Sequence, residues 1–359
     1  SGDLGIGGAA TDGEVEDYVL TVASPRATPG VFQLRETNLT GTVDEIWFMG
    51  TGDMDGDGDV DLVGTNGYGS NSGLKTISWY ENDGNQSFTK HNVVSNASKL
   101  QDVITVDLDG DGDLDIVAAI EANQKVTAFY NDGAGNFTEN VVYSVSAPIS
   151  VASGDIDGDG DQDLMSVNHW SGRLWLHENI GGGDFTTTAV GSALSYARNV
   201  KIADLDRDGD LDAVTAEQQD RVMWHENIGG GQFTSHVITT AVDNVTAVEV
   251  GDIDGNGTVD VVSQTAVDKK LTWHKNDGQG NFTSILIDNS TLGNYVAEVL
   301  IADFNGDGIV DVSANSLNDD GFRNRFIYTR NSDDTFTRSA LHQNTPKETN
   351  LGFISQVAD

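Results

Sequence analysis

The chain has 359 residues, 57 acidic against 19 basic, for a formal charge of −38, and it contains no cysteine. That charge argues against nucleic acid as a partner, and the missing thiols exclude disulfide frameworks, thiolate metal sites and cysteine nucleophiles. No apolar stretch approaches the roughly 18 residues of a membrane span, and the acidity calls for a cationic counterpart.

In chain order, residues 1–24 stand apart. The stretch "ATDGEVEDYVLTVAS" at 10–24 alternates as an edge strand does, and is expected either to end a preceding β domain or to lend a spare strand to the domain after it. Starting at Ser1 with no leader, the sequence reads as a mature protein or an excised piece of a larger polypeptide. "TPGVF" then leads to Phe32, the first of seven phenylalanines that each open a short β run: Phe32, Phe88, Phe137, Phe185, Phe233, Phe282 and Phe336.

At residues 52–63, "GDMDGDGDVDLV" places carboxylates at alternate positions. The pattern returns as "DLDGDGDLDIV" from Asp107, "DIDGDGDQDLM" from Asp155, "DLDRDGDLDAV" from Asp204, "DIDGNGTVDVV" from Asp252 and "DFNGDGIVDVS" from Asp303. Successive starts are 54, 48, 49, 48 and 51 residues apart. A solvated run of like charge has no reason to recur at a nearly fixed period.

Each copy has the same surroundings. A short apolar run such as "VITV" or "VKIA" precedes it, and a β-rich run such as "LDIVAAI" comes after. Next is a run with an aromatic and a turn, as in "ISWYENDGNQSF", "TAFYNDGAGNF", "LWLHENIGGGDF", "VMWHENIGGGQF" and "LTWHKNDGQGNF"; the phenylalanine strand closes the unit. Four short β segments per repeat, with no helical period, predict the blades of a β-propeller. The closing "GFISQVAD" matches an apolar run entering another loop at Asp359. The expectation is therefore an all-β, seven-bladed propeller of four-stranded blades over residues 25–359, its seventh blade closed by a strand near Phe32 beside one near Phe353.

Alternate aspartates in a turning loop can aim their oxygens at one centre, and a glycine at the sixth position (Gly58, Gly112, Gly160, Gly209, Gly257, Gly308) permits the backbone reversal. The candidate ligands are Asp53, Asp55, Asp57, Asp59 and Asp61; Asp107, Asp109, Asp111, Asp113 and Asp115; Asp155, Asp157, Asp159, Asp161 and Asp163; and Asp204, Asp206, Asp208, Asp210 and Asp212. The last two loops offer Asp252, Asp254, Asn256, Thr258 and Asp260, then Asp303, Asn305, Asp307, Ile309 and Asp311. The seventh position varies in side chain, as expected if it contributes its backbone carbonyl. An all-oxygen set selects a hard cation, and its carboxylate content suits Ca²⁺, about six ions in all, acting mainly as staples. The twelfth position is Gly64, Ala118, Ser166, Thr215, Ser263 or Ala314 rather than the glutamate of an EF-hand, and each loop leads into strand sequence instead of a helix.

These loops, the "WYENDG" and "WHENIGGG" segments and the roughly 50-residue period resemble the FG-GAP/VCBS repeats of calcium-binding seven-bladed propellers, a group that includes integrin α-subunit heads. "DGEVEDYVLTV" at 12–22 resembles a GEVEDY segment of large bacterial surface and secreted proteins, which implies an extracellular or cell-surface setting, bacterial, within a larger polypeptide. Asn256 and Asn305 depart from the acidic pattern, which puts full affinity at the last two loops in question.

His177, His225 and His274 recur in successive units, and Trp79, Trp224 and Trp273 recur in theirs; equivalent places in different blades lie far apart, so strand packing or surface display is the expected role of the histidines and inter-blade core that of the tryptophans. Connections between second and third strands fall on the face opposite the acidic loops and differ most between repeats, which is where binding usually resides. Tyr68, His169, Trp170, Arg173, Arg221, Lys269, Arg323 and Arg325 are the ligand-binding candidates there, able to stack on sugars or to pair with acidic groups. No nucleophile motif is present, so the expected function is a calcium-stabilised binding or adhesion module for a glycan or an extracellular protein. A polysaccharide lyase or glycan hydrolase, and a structural spacer of a surface protein, are the alternatives.

Overall fold

A computed structural model describes residues 46–346 apart from 67–75, 86, 96, 98, 171, 192, 195, 290–294 and 318–321. Residues 1–24, and the strands expected near Phe32 and Phe353, lie outside the described residues.

Among the described residues the chain forms 24 strands in six four-stranded antiparallel sheets and no helix. The first sheet comprises β1 (Ile46–Gly52), β2 (Asp61–Asn66), β3 (Thr76–Asn82) and β4 (Phe88–Ser95). The second comprises β5 (Leu100–Val106), β6 (Asp115–Ile120), β7 (Lys125–Asn131) and β8 (Phe137–Ser144). The third comprises β9 (Pro148–Gly154), β10 (Asp163–Asn168), β11 (Arg173–Asn179) and β12 (Phe185–Val190). The fourth comprises β13 (Ala197–Ala203), β14 (Asp212–Glu217), β15 (Arg221–Asn227) and β16 (Phe233–Thr239). The fifth comprises β17 (Val245–Gly251), β18 (Asp260–Thr265), β19 (Leu271–Asn276) and β20 (Phe282–Asp288), and the sixth β21 (Tyr295–Ala302), β22 (Asp311–Leu317), β23 (Phe322–Arg330) and β24 (Phe336–Pro346). Each sheet is a simple meander in chain order.

Burial explains why the strands read as they do. The second strands "DIVAAI", "DLMSVN", "DAVTAE" and "DVVSQT" are buried at every residue, because a neighbouring sheet covers each of their faces. Fourth strands such as "FTENVVYS" alternate between half-buried and exposed, as outer edges do. The first strands β1, β5, β9, β13, β17 and β21 lie side by side in that order, so the sheets are arrayed about a common axis as propeller blades.

The core is accordingly divided among the gaps between sheets. Val63, Ile77 and Trp79 pack with Val103, Ile116 and Phe129, while Val117, Val126 and Ala128 pack with Val151 and Leu164. Met165, Val167 and Leu176 meet Val200 and Ala213; Val214 and Trp224 meet Val248 and Val261; Val262 and Trp273 meet Val299, Val312 and Tyr328. A Cβ on Gly280, in the β19–β20 turn, would fall 2.2 Å from the Trp224 ring, so the turn glycine is the floor against which the preceding blade's indole rests.

Polar side chains stitch the blades together at two further places. Near the axis, Asp102 Oδ2 accepts from Ser150 Oγ at 2.8 Å and from Val151 N–H at 3.1 Å, Asn199 Oδ1 accepts from Val248 N–H at 3.2 Å, and Lys201 pairs with Glu249 at 2.8 Å. Within blades, His177 bridges Ser166 and Thr187, His225 bridges Thr215 and Ser235, and His274 bridges Ser263 and Ser284, every contact being 2.8–2.9 Å. All three rings are fully buried, and burial pushes their pKa down to about 3 for His177 and about 4 for His225 and His274. These histidines are packing groups, one to a blade.

Candidate metal centres

Each acidic loop joins a first strand to a second strand, and backbone donors fix its carboxylates. The first-position aspartate accepts N–H bonds from across the turn: Asp53 from Gly56 at 2.8 Å, Asp57 at 3.1 Å and Gly58 at 2.9 Å, Asp155 from Gly158 at 2.8 Å and Gly160 at 3.1 Å. The third position accepts from the N–H of the fifth and the fifth from that of the seventh, as in Asp109 with Asp111 at 3.3 Å and Asp111 with Asp113 at 3.0 Å. Closing these rings needs a left-handed residue at the sixth position, where Gly112 has φ +96°. Arg207 takes the fourth position of the fourth loop at φ +67°, where the other loops have glycine.

The result is convergence. Carboxylate oxygens of Asp53, Asp55 and Asp57 lie within 4.8 Å of one another, as do those of Asp107, Asp109 and Asp115, of Asp155, Asp157 and Asp163, of Asp204, Asp206 and Asp212, and of Asp252, Asp254 and Asp260. At the seventh position Asp59 and Asp113 face the turn glycines Gly84 and Gly133, while the Thr258 hydroxyl lies between Asn276 C=O, at 3.0 Å, and the fifth-position Asn256 Oδ1. Ile309 can offer only its carbonyl.

The ninth-position carboxylate is buried. Burial, opposed by its two backbone N–H bonds, pushes Asp115 up to about 7 and Asp61, Asp163, Asp212, Asp260 and Asp311 up to about 6. Asp55, Asp109, Asp157 and Asp206 are also raised, by burial first and by the neighbouring fifth-position carboxylate as well. Two like charges ~4 Å apart repel by about 4 kcal/mol at an effective dielectric near 20. An oxygen cage that resists its own ionisation fits a hard divalent cation, which would be held by the first, third, fifth and ninth positions and would neutralise them.

The six loops are not equal. Glu81 and Glu226, one residue before the end of the third strand, add negative potential at Asp55 and Asp206. The equivalent residue in the fifth blade is Lys275, whose Nζ lies 2.6 Å from Asp254 Oδ2; that hydrogen bond holds the ammonium charged above its ordinary range. Asn305 Nδ2 donates to Asp311 Oδ2 at 3.1 Å, so in the sixth loop an amide proton occupies an oxygen that a cation would use. The two loops with neutral substitutions have thus acquired internal cationic or hydrogen-bonding substitutes.

An asparagine ending the third strand does what the sequence alone did not reveal. Asn179 donates its N–H to Asp163 Oδ1 at 2.8 Å in its own blade, and its Nδ2 to Leu108 C=O at 2.9 Å in the second position of the preceding loop. Leu108 in turn donates its N–H to Asp115 Oδ2 at 2.9 Å. Asn131, Asn227 and Asn276 repeat this with Met54, Ile156 and Leu205 at 2.6–2.8 Å, giving an unbroken hydrogen-bonded run from Asp61 to Asp260. The recurring Asn before each turn in "WYENDG" and "WHENIGGG" is the available signal; it reads first as turn chemistry.

On the opposite face the ligand candidates scatter. His169 and Trp170 are in contact at 4.9 Å between ring centroids, and Arg173 opens β11 beside them. Arg221 is paired with buried Glu217 at 2.7 Å, Lys269 has φ +54°, and Arg325 turns inward to Glu298 at 3.2 Å. Arg323 stands on β23 opposite Leu317, and Tyr68 lies outside the described residues.

Sheets arrayed about an axis, each with an oxygen-lined loop at one end of its first strand, define a repeat-built β-propeller with candidate metal loops. A family model described as an FG-GAP-like repeat matches residues 53–118, 107–166, 155–215 and 204–263, more than half of the chain, and the chain belongs to that family. None of the curated proteins matches it. Among solved structures, it is similar to a lectin of Agrocybe aegerita described as recognising non-reducing terminal N-acetylglucosamine, with a TM-score of 0.59 and 18% identity over 85% of this chain and 82% of the other. It is also similar to a putative 6-phosphogluconolactonase of Bacteroides uniformis, with a TM-score of 0.58 and 12% identity over 83% and 84% of the two chains. The periplasmic gluconolactonase PpgL of Pseudomonas aeruginosa gives 0.57 and 14% over 84% and 86%. Likeness at these identities is likeness of fold.

Proposed function

We propose that the chain is a calcium-stabilised binding module that works outside the cell, as part of a larger bacterial surface or secreted polypeptide, and presents the loops of one propeller face to a glycan or protein ligand. The observation that carries this is the division of labour between the two faces. Acidic loops repeat on one, and connections of differing sequence, short in the second, fourth and fifth blades, occupy the other. Calcium is the cation of this reading because the cages are all-oxygen and carboxylate-rich, and the open loops suit the millimolar calcium of extracellular fluids better than cytosolic levels. Seven blades are part of the reading: the repeats supply seven phenylalanine strands, and a seventh blade built from both ends of the chain would leave no sheet edge open at the ring's seam. The lectin with this fold supports a binding role, and the two lactonases keep an enzyme on sugar-derived substrates as the competing reading.

The test exposes the calcium-loaded chain to acidic and neutral polysaccharides and measures retention together with new reducing ends or unsaturated uronate. Retention without products is expected. New ends would replace the binding module by a hydrolase or lyase, and neither retention nor products would remove glycan recognition from the proposal.

A further inference from the structure

The connection between β10 and β11 is short and pinned at both ends. His169 N–H donates to Ala147 C=O at 2.9 Å, and Leu194 N–H donates to Gly172 C=O at 2.7 Å. Gly172 has φ +53°, and a Cβ there would fall 2.0 Å from Leu194 O, so this loop lies backbone against backbone with the segment that enters β13. On that support Trp170 leaves 66% of its surface exposed, more than any other large apolar side chain among the described residues.

Tyr196 meets it from the neighbouring segment. Its ring is 5.5 Å from His169 and 6.4 Å from Trp170, the three rings standing at 60–77° to one another. The residue entering the first strand has positive φ in four successive blades, at Lys99, Ala147, Tyr196 and Asn244. Asparagine suits that conformation; a bulky aromatic is strained there. The fold imposes this backbone state at each blade entry, and at Tyr196, φ +54° and 40% exposed, it sets a half-exposed ring beside Trp170. Gln218 N–H donates to Tyr196 C=O at 3.1 Å, and Arg198 Nη2 lies 3.5 Å from Gln218 Oε1; burial and then the charge of Arg198 hold His169 below its ordinary pKa.

The chemistry of an occupant emerges by elimination. A stable protein interface takes ~800 Å² of total surface from each partner, and a cluster of three contacting rings is the size of a small-molecule contact instead. Rings in direct edge contact leave no box between them for a quaternary ammonium. A chain of charge −38 does not favour an anion. A flat uncharged ring with an apolar face and a polar rim remains.

We propose that His169, Trp170 and Tyr196 form a carbohydrate subsite, in which an uncharged pyranose stacks on the exposed indole while Arg198 and Gln218 serve its hydroxyl groups. The proposal rests on the reading of the chain as a binding module. The experiment titrates the calcium-loaded protein with neutral oligosaccharides ending in glucose, galactose, mannose or an N-acetylhexosamine, following iodide quenching of tryptophan. Trp79, Trp224 and Trp273 are buried and Trp175 is half-buried, so it is the shielding lost in Trp170→Ala that reports on the exposed indole. One sugar class is expected to bind and shield, Trp170→Ala to abolish shielding and weaken binding at least tenfold, and Tyr196→Asn, which relieves the strained backbone, to weaken binding by a similar factor with no loss of thermal stability. Unchanged affinity in both variants for a glycan that the wild type binds overturns the subsite and leaves the binding module standing. A wild type that binds no member of the panel overturns the subsite, and binding to acidic polysaccharides alone would preserve the module.

Discussion

Replacing Lys275 by glutamine is expected to tighten cation binding at the fifth loop. The ammonium lies 2.6 Å from Asp254 Oδ2, and an ion taken by that oxygen at about 2.3–2.6 Å would be within about 5 Å of Nζ. Lys275 is about one-third exposed, so the dielectric of water, ~80, gives a conservative bound: charges of two and one at ~5 Å repel by about 1.7 kcal/mol, or ~15-fold in affinity. The accompanying loss is small, because the 3.2 Å pair with Asp334 is also partly exposed and such pairs contribute at most ~1 kcal/mol. Equilibrium dialysis with radioactive calcium should show one class of site moving to lower free calcium by about that factor in Lys275→Gln and staying in place in Lys275→Arg. Superimposed isotherms for wild type and Lys275→Gln would refute the argument that the lysine competes for this loop.

Other perturbations separate the stabilising elements. Asn179→Ala strips a buried donor from Leu108 C=O and Gln162 C=O and should destabilise by about 3 kcal/mol in urea unfolding at saturating calcium; a loss under about 1 kcal/mol would mean water replaces the amide. Trp273→Ala, at a fully buried site, should cost roughly 3–5 kcal/mol by the same measurement. pH should act in opposite directions with and without the cation. His177, His225 and His274 have folded pKa values below the unfolded ~6.5, so the unfolded chain takes up protons first and the calcium-loaded protein loses stability from about pH 6.5 down to about 4. The ninth-position aspartates of the calcium-free protein are raised to about 6 or 7; there the native state takes up protons first, which adds stability as pH falls from about 6 toward 3.8. Melting curves of metal-free and calcium-saturated protein across that window should therefore converge on acidification, and parallel curves would sink the assignment of the buried carboxylates.

Local chemistry made much of this legible in the sequence. An acidic loop with glycine at its sixth place, a β-rich run after it and an aromatic run before a turn each carry their geometry within a dozen residues, and β6, β10, β14 and β18 begin at the loop's ninth position as that reading requires. The hidden features connect residues far apart in the chain. Lys275 meets Asp254 across 21 positions, and Asn179 meets Leu108 across 71, where a strand and a neighbouring blade intervene. Arg325 reads in sequence as an outward loop residue, but it stands inside β23 and faces the axis through Glu298, an orientation set by strand register. Tyr196 gives no sequence signal because its conformation depends on the strand it precedes.

The asparagine relay changes what one loop means to the next. A loop on an isolated strand pair would bind its cation at the cost of its own ordering, with no effect beyond itself. Here Asp115 accepts from Leu108 N–H, Leu108 C=O accepts from Asn179 Nδ2, and Asn179 N–H donates to Asp163. Ordering one cage therefore fixes both groups that the neighbouring cage needs in place, so part of the entropic cost of the second has already been met. The relay runs through the blades whose loops carry three converging carboxylates, and at the sixth blade Arg330 replaces asparagine while Asn305 ties up Asp311. Loss of the clamp and loss of the full cage coincide in one blade, the arrangement expected if inter-blade coupling is useful only where a cation sits at both ends of the link.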